Sequence, residues 1–127
     1  MKQRPTVLIV EDDETIRELY ADAFSLAKID VLKAKNGTEG IEMALAHHPN
    51  LILMDIMMPV INGHVAVSTI RKDPWGKKAK IIFLTNMSDA ENVVHAVEEG
   101  TEEYIIKANT TIKEVLNKAR MAMNQKV

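Results

Sequence analysis

Short apolar runs that end at a polar residue recur along the chain and alternate with longer amphipathic stretches. Three of these runs are uninterrupted, at residues 7–10, 51–54 and 81–84. Such runs are typical of strands in a parallel sheet that is covered on both faces. Two weaker strand candidates lie at Asp30–Ala34 and Glu103–Ile106. The alternation therefore predicts five short strands, and it limits the chain to folds that bury a parallel sheet.

The segments between the strands carry helical periodicity, with apolar residues at spacings of three and four. The predicted helices run over Glu14–Ala27, Thr38–His47, from Asn62 or Gly63 to Asp73, over Ser88–Gly100, and from Thr110 or Thr111 to about Asn124. Strict alternation of strand and helix predicts an α/β fold with helices on both faces of the sheet. Five strands suit the flavodoxin-like order 2-1-3-4-5, in which ligands bind at the carboxyl ends of strands 1 and 3.

Composition excludes several classes of protein. The 127 residues include no cysteine, so disulfides, thiolate zinc sites and iron–sulfur clusters are excluded. The five glycines lack the spacing of a nucleotide-binding loop, and the net charge of −2 argues against a nucleic-acid interface. The chain also lacks a signal peptide and a membrane-length apolar run. We expect one cytoplasmic domain over residues 1–127, with a core of about 5–124, no direct nucleic-acid contact and no membrane insertion.

Polar residues follow the predicted strands at the edge where the fold places ligands. Asp12 follows the first strand and Asp55 the third, and these two strands are neighbours in the predicted order. Carboxylates brought together repel each other, and a hard divalent cation such as Mg²⁺ is the usual compensation. Thr85 follows the fourth strand and Lys107 the fifth. Each residue alone has a simpler explanation as a cap or a loop residue, but the four together predict a site.

A metal ion, an ammonium and a hydroxyl together can bind a phosphoryl group. The cations neutralise its oxygens and the hydroxyl donates a hydrogen bond to one of them. A central carboxylate can act as the nucleophile and form an aspartyl phosphate. Asp55 has the central position in the predicted strand order, so we expect it to be the phosphoacceptor.

Four stretches in this order carry a resemblance to a known family. They are Val7–Glu14 with Ile16-Arg17, Pro49–Pro59 with Asn62-Gly63, Ile81–Thr85, and Gly100–Lys107. Over essentially its whole length the chain resembles the response-regulator receiver domains of the CheY-like superfamily.

The resemblance implies a role for each site residue. Asp55 would accept a phosphoryl group from a phosphohistidine on a sensor histidine kinase or a histidine phosphotransfer protein. Glu11 and Asp12 would form the family's acidic pair, with Asp13 in the loop beyond them. Together with Asp55 and the backbone carbonyl of Met57, the pair would hold Mg²⁺ or Mn²⁺. Thr85 and Lys107 would bind the phosphoryl oxygens.

The resemblance also implies a switch and an output. Thr85 would move toward the phosphoryl group, and the aromatic ring of Tyr104 would turn inward. The readout surface would consist of the fourth helix, the fifth strand and the fifth helix. We expect a regulator that controls partner binding and has no separate substrate, so it is not a turnover enzyme. Phosphorylation-dependent homodimerisation through the last helix is one such output.

The chain departs from the family pattern at a few positions. Ala108 follows Lys107 where the family usually has proline, which predicts a trans peptide bond and a shifted loop. In the family the positions of Met57 and Met87 tune how water reaches the acyl phosphate, and Asn86, where the family commonly has a small residue, would narrow access to Asp55 or donate a hydrogen bond nearby. Because long apolar side chains cannot orient water, we predict slow self-dephosphorylation. Lys28 stands at a helix exit where the family often has glycine.

Three alternative functions compete with this interpretation, and the residues present argue against the second and the third. The chain could be the receiver half of a longer transcription factor or effector enzyme, although its start at Met1 and its end after one domain favour a stand-alone regulator. A phosphatase of the haloacid dehalogenase type needs a second acid two residues after the nucleophile, where this chain has Met57. A flavodoxin-like electron carrier needs a phosphate loop after the first strand, where this chain has Glu11–Glu14.

Overall fold

Five parallel strands form one sheet at the centre of the molecule. The computed structural model describes residues 4–85, 103–107 and 110–123, with the backbone only at 103 and 104. The strands are β1 (Thr6–Val10), β2 (Asp30–Ala34), β3 (Leu51–Asp55), β4 (Ile81–Thr85) and β5 (Glu103–Ile106). Their spatial order is β2-β1-β3-β4-β5, and all four pairings are parallel. The predicted fold class and strand order are confirmed.

Helices connect the first four strands and follow β5, as the periodicity predicted. The described α-helices are α1 (Glu14–Leu26), α2 (Gly37–His47), α3 (Gly63–Arg71) and a C-terminal helix (Ile112–Ala122), and a short 3₁₀ helix spans Gly76–Lys78. The predicted helix at 88–100 lies outside the described residues. Among the described residues, no helix has the length and apolar character needed to cross a membrane.

Side-chain caps determine where the described α-helices begin. Asp13, Asn36, Asn62 and Thr111 each accept a hydrogen bond from a backbone N–H in the first turn of the helix that follows. These residue types satisfy amides that the helix itself leaves unpaired. At Thr111 the backbone N–H of the cap also donates to the side chain of Glu114, which completes a capping box.

Two apolar clusters cover the two faces of the sheet. One contains Leu8, Ile52 and Phe83 from the strands and packs against α2 and α3. The other contains Ile9 and Leu53 and packs against α1 and the C-terminal helix. Alternate residues of each buried strand point to opposite clusters, because side chains alternate across a strand. Both faces are buried, so the strands are rigid supports for the residues at their carboxyl ends.

Three residues other than glycine adopt positive φ angles. Lys28 has a φ of 64° just beyond α1, as its helix-exit position suggested, and His48 has a φ of 50° at the end of α2. Val60 has a φ of 68° in the loop after β3. Left-handed backbone is unfavourable for side chains with a Cβ, and most so for a β-branched one.

Candidate functional site

Three successive acids after β1 have three different environments. Glu11 extends the ladder, since its N–H donates to the Ala34 carbonyl at 3.1 Å, and its side chain is only 1% exposed. Asp12 is exposed at the rim. Asp13 caps α1 by accepting a hydrogen bond from the Ile16 N–H at 3.0 Å. Burial and capping therefore separate Glu11 and Asp12, which face the site, from Asp13, which begins the helix.

Neighbouring strands bring Asp55 beside this pair. Asp55 is the last residue of β3, and Val10 pairs with Met54 in the β1–β3 register, so Glu11 and Asp55 follow adjacent positions. Glu11, Asp12 and Asp55 each have a carboxylate oxygen within 4.8 Å of the others. We call these three residues the acidic cluster. The predicted convergence of Asp12 and Asp55 is confirmed.

Thr85 and Lys107 complete the site from the next two strands. Thr85 ends β4, is fully buried, and pairs with Ile106, the residue before Lys107. The Lys107 ammonium donates to the Glu11 carboxylate and, at 3.2 Å, to Oδ1 of Asp55. The Lys107 side chain is 9% exposed, so this contact lies largely out of water. One lysine thus links two buried carboxylates that come from different strands.

Burial and charge together set the protonation of these groups. Burial, reinforced by the hydrogen bond and the negative charge of Glu11, raises the pKa of Asp55 from 3.8 to about 8. Lys107 opposes this rise without cancelling it. Burial alone would lower the pKa of Lys107, but its contacts with Glu11 and Asp55 outweigh burial and raise it. The site therefore has more negative charge than one ammonium compensates.

This excess of carboxylate oxygen fits a hard divalent cation. Mg²⁺ and Mn²⁺ prefer oxygen ligands, and the acidic cluster offers three carboxylates, one of them exposed at the rim. The donor set of the acidic cluster could therefore hold either ion. Met57, the fourth predicted ligand through its carbonyl, lies two residues past Asp55, and its side chain is 58% exposed.

The loop after β3 approaches the acceptor closely at Gly63, a role that the sequence analysis missed. A Cβ on Gly63 would lie 2.4 Å from the Asp55 carbonyl oxygen, and the Gly63 N–H donates to the Ile56 carbonyl at 3.0 Å. Only glycine allows two backbones to come this close. The sequence did contain a signal for this close approach, namely a glycine at the predicted start of a helix eight residues after the acceptor.

Several predicted residues lie outside the described part of the chain. They are Asn86, Met87 and Ala108, together with the side chain of Tyr104. The predictions for dephosphorylation at Asn86 and Met87, for the Lys107–Ala108 peptide bond and for the aromatic switch therefore stay predictions.

Comparisons with known proteins agree on one family. A family model described as the response regulator receiver domain matches residues 7–120. A probable transcriptional regulator, ycf27 of Porphyridium aerugineum, is 31% identical over 105 residues, which are 83% of this chain and 42% of that protein. The first curated relatives are longer proteins, of which the chain spans about 41–51%.

Solved structures share the fold. The chemotaxis protein CheY4 of Vibrio cholerae superposes with a TM-score of 0.89 at 23% identity, over 94% of this chain and 99% of that one. The receiver domain of the sensor histidine kinase PA1611 of Pseudomonas aeruginosa superposes with a TM-score of 0.87 at 21% identity, over 97% and 100%. That structure contains a magnesium ion coordinated in its active site cleft. At this level of identity the likeness concerns the fold.

Proposed function

The chain belongs to the response regulator receiver domain family, and from that premise we propose that it is a phosphorelay response regulator with Asp55 as its phosphoacceptor. The phosphoryl donor is a phosphohistidine on a sensor histidine kinase or a histidine phosphotransfer protein. The observation that carries the proposal is the buried Asp55 carboxylate, which Lys107 contacts within the acidic cluster. The family is one of signalling receivers and not of turnover enzymes.

The chemical step is a transfer between two nucleophiles. A carboxylate oxygen of Asp55 bonds to phosphorus, the bond from phosphorus to the donor's histidine nitrogen breaks, and its electron pair stays on that nitrogen. Glu11, Asp12, Asp55 and the Met57 carbonyl would hold Mg²⁺ or Mn²⁺, which when bound would displace the Asp55 proton to solvent, keep this carboxylate ionised and neutralise the phosphoryl oxygens. Lys107 would exchange its bond to Asp55 for one to a phosphoryl oxygen. Thr85 would donate its hydroxyl to another.

The same step would operate the switch. A phosphoryl group adds charge at the carboxyl end of β3, next to Thr85 at the end of β4. Thr85 would move toward it and Tyr104 would turn inward, which would alter the surface of residues 88–100, β5 and the C-terminal helix. That surface would bind the downstream protein target, or a second copy of the chain.

Loss of the phosphoryl group is proposed to be slow. The Met57 side chain is 58% exposed, two residues past the acceptor, and a thioether there cannot hold an attacking water by strong hydrogen bonds. We expect the Met57→Asn, Met87→Glu double variant to lose phosphate faster than the wild type, as measured by phosphate release after acetyl phosphate is removed. Faster loss from the wild type would contradict this tuning.

A second candidate is the receiver part of a longer regulator. The curated relatives are about twice as long as this chain, and several are transcriptional regulators. The receiver chemistry would be the same, and the switched surface would then act on a covalently attached domain. The family match over 7–120 supports the expected single receiver domain with its core at about 5–124.

The test is intact mass spectrometry after incubation with acetyl phosphate and Mg²⁺. The wild type is expected to gain one phosphoryl group, and Asp55→Asn none. Asp13→Asn is a matched control, because Asp13 lies outside the acidic cluster and asparagine also caps helices well. A wild type that gains no phosphoryl mass and does not bind beryllofluoride contradicts the proposal. A phosphoryl mass gain in Asp55→Asn would show that another residue is the acceptor.

A further inference from the structure

Tyr20 is a buried polar residue that the proposed reaction does not use. It lies in α1 on the face that packs on the sheet, in the apolar cluster with Ile9, Phe24 and Leu53, and is 5% exposed. A leucine or a phenylalanine would satisfy this packing equally well. The ring therefore has a structural explanation, and only the hydroxyl group remains to be explained.

The direction of α1 brings this side chain toward the acidic cluster. Side chains on a helix lean toward its N-terminus, and α1 begins at Glu14, at the carboxyl edge of the sheet. Tyr20 shares a cavity of about 390 Å³ with Lys107. We call it the Tyr20 cavity. It is lined by Ile16, Leu19 and Tyr20 from α1, and by Lys107, Thr110 and Ile112 beyond β5.

Two polar groups on the Tyr20 cavity have unused hydrogen-bonding capacity. The Lys107 ammonium has three N–H groups, and within the described residues its acceptors are the carboxylates of Glu11 and Asp55. Within the same residues the Tyr20 hydroxyl has no hydrogen-bond partner. A buried hydroxyl without a partner is unfavourable, and the cavity has room for water to join the two groups.

We propose that Tyr20 is a positioning residue for phosphoryl transfer: its hydroxyl oxygen accepts a hydrogen bond from Lys107 through a water molecule in the Tyr20 cavity. The ammonium is then held from three directions, by two carboxylates and by this water. When Lys107 exchanges its hydrogen bond to Asp55 for one to a phosphoryl oxygen, the bond from its third N–H to this water keeps the ammonium in place. This inference rests on the proposed role of Lys107.

The electrostatic environment agrees with a neutral hydroxyl at this position. Burial raises the pKa of Tyr20; the positive charge of Lys107 opposes this, and the negative charges of Glu11 and Asp55 add to it. The hydroxyl group therefore stays protonated at neutral pH. Its oxygen can accept from the water that Lys107 binds, and its own proton remains available to a second water in the cavity.

Tyr20→Phe tests the inference, because it removes one oxygen and keeps the ring. The first readout is the exchange of the Lys107 ammonium protons with water, followed by ¹⁵N NMR on the unphosphorylated protein, with Lys107→Met to assign the signal. We expect exchange at least threefold faster in Tyr20→Phe. We also expect phosphorylation by acetyl phosphate to be threefold to tenfold slower. Unchanged exchange and an unchanged rate would overturn the inference.

Thr110→Val is the matched control for the cavity. The Thr110 hydroxyl lines the same cavity, but it already donates to the Ile106 carbonyl at 2.8 Å. Its removal is expected to change Lys107 exchange by less than a factor of two. An effect as large as that of Tyr20→Phe would mean that any loss of a hydroxyl disturbs the cavity, and would overturn the specific role of Tyr20.

A double-mutant cycle tests whether Tyr20 acts through Lys107. We expect Tyr20→Phe to raise the unfolding equilibrium constant at least threefold in the wild type and by less than half of that factor in Lys107→Met. Equal effects in the two backgrounds would show that the hydroxyl acts elsewhere. The exchange and unfolding measurements need no phosphorylation, so a wild type that fails to gain a phosphoryl group would count against the proposed function alone.

Discussion

One lysine compensates two buried carboxylates in the candidate site. The Lys107 ammonium contacts both Glu11 and Asp55, and all three side chains are at least nine-tenths buried. Inside a protein, removing one member of such a group leaves an uncompensated charge that water cannot solvate. Lys107 therefore contributes to folding, in addition to the role in binding the phosphoryl group that we propose for it.

Lys107→Met tests the folding function. In metal-free buffer we expect a loss of about 3–5 kcal/mol in the free energy of unfolding, and Mg²⁺ should restore part of it because the cation supplies the missing positive charge. The measurement is urea denaturation in EDTA and in excess Mg²⁺. Lys33→Met is the matched control: its partner Glu18 lies at 2.9 Å, but both side chains are about half exposed. That pair should contribute less than about 1 kcal/mol, so equal losses would contradict the argument.

The raised pKa of Asp55 predicts an unusual dependence of the free energy of unfolding on pH. Its pKa is raised from 3.8 to about 8 in the folded protein, so between these values the folded state binds the proton more tightly than the unfolded state does. The contribution of Asp55 to stability is therefore fully present below pH 3.8 and is lost as the pH rises through 8.

Asp55→Asn removes this titration while keeping the size of the side chain. In EDTA we expect the variant to be more stable than the wild type, with a gain at least about 1 kcal/mol larger at pH 8 than at pH 5. Urea denaturation at the two pH values measures the gain. A gain that is equal at both values, or larger at pH 5, would contradict a raised pKa of Asp55 in the metal-free protein.

The turn between α1 and β2 contains backbone strain at Lys28, which the packing of the core tolerates. Lys28 has a φ of 64° between α1 and β2, where its N–H still donates to the Ser25 carbonyl at 3.0 Å. Phe24 and Ile29 are buried on either side of this turn and keep the backbone in place. The packing of the two elements therefore overrides the preference of the lysine for negative φ.

Lys28→Gly should relieve the strain. Glycine adopts positive φ without steric cost, so we expect a gain of about 1 kcal/mol in the free energy of unfolding. Lys72→Gly is the matched control, because Lys72 follows α3 as its C-cap with a φ of −75°, where glycine relieves no strain and should lower stability by adding freedom to the unfolded chain. Thermal or urea denaturation of both variants measures the two changes in the free energy of unfolding. The same sign of change in both would contradict strain at Lys28.

At the scale of the whole molecule, the sheet connects the site to the two apolar clusters. Glu11, Asp55, Thr85 and Lys107 lie at or just after the ends of four parallel strands, and both sheet faces are buried. A ligand that binds at this edge contacts strands from across the sheet at once. Its binding free energy should therefore stabilise the whole fold and not one local segment.

Mg²⁺ should raise global stability through this linkage. We expect the free energy of unfolding to rise with the logarithm of the Mg²⁺ concentration above the dissociation constant, by about 2.7 kcal/mol at a hundredfold excess. Glu11→Gln should weaken the effect because it removes a carboxylate from the acidic cluster. Asp30→Asn, at the amino end of β2, should leave it unchanged. A concentration series followed by thermal denaturation tests this, and equal effects in all three proteins would place the metal elsewhere.

The sequence by itself determined the order and approximate bounds of the described elements, because apolar runs, helical periodicity and caps are local signals. It also indicated Asp55, Thr85 and Lys107, since each directly follows or ends a recognisable strand. The choice of Glu11 and Asp12 over Asp13 came from the resemblance to receiver domains, and the cap at Asp13 supplies its physical reason.

Only the tertiary structure decided how these residues meet. Lys107 lies 96 positions from Glu11 and 52 from Asp55, and no local pattern specifies that one ammonium contacts both. The same holds for the approach of Gly63 to Asp55 and for the cavity that Tyr20 shares with Lys107. Such contacts depend on how helices and loops pack on the sheet. That packing is set by the shapes of side chains from distant parts of the chain, which act together only once it has folded.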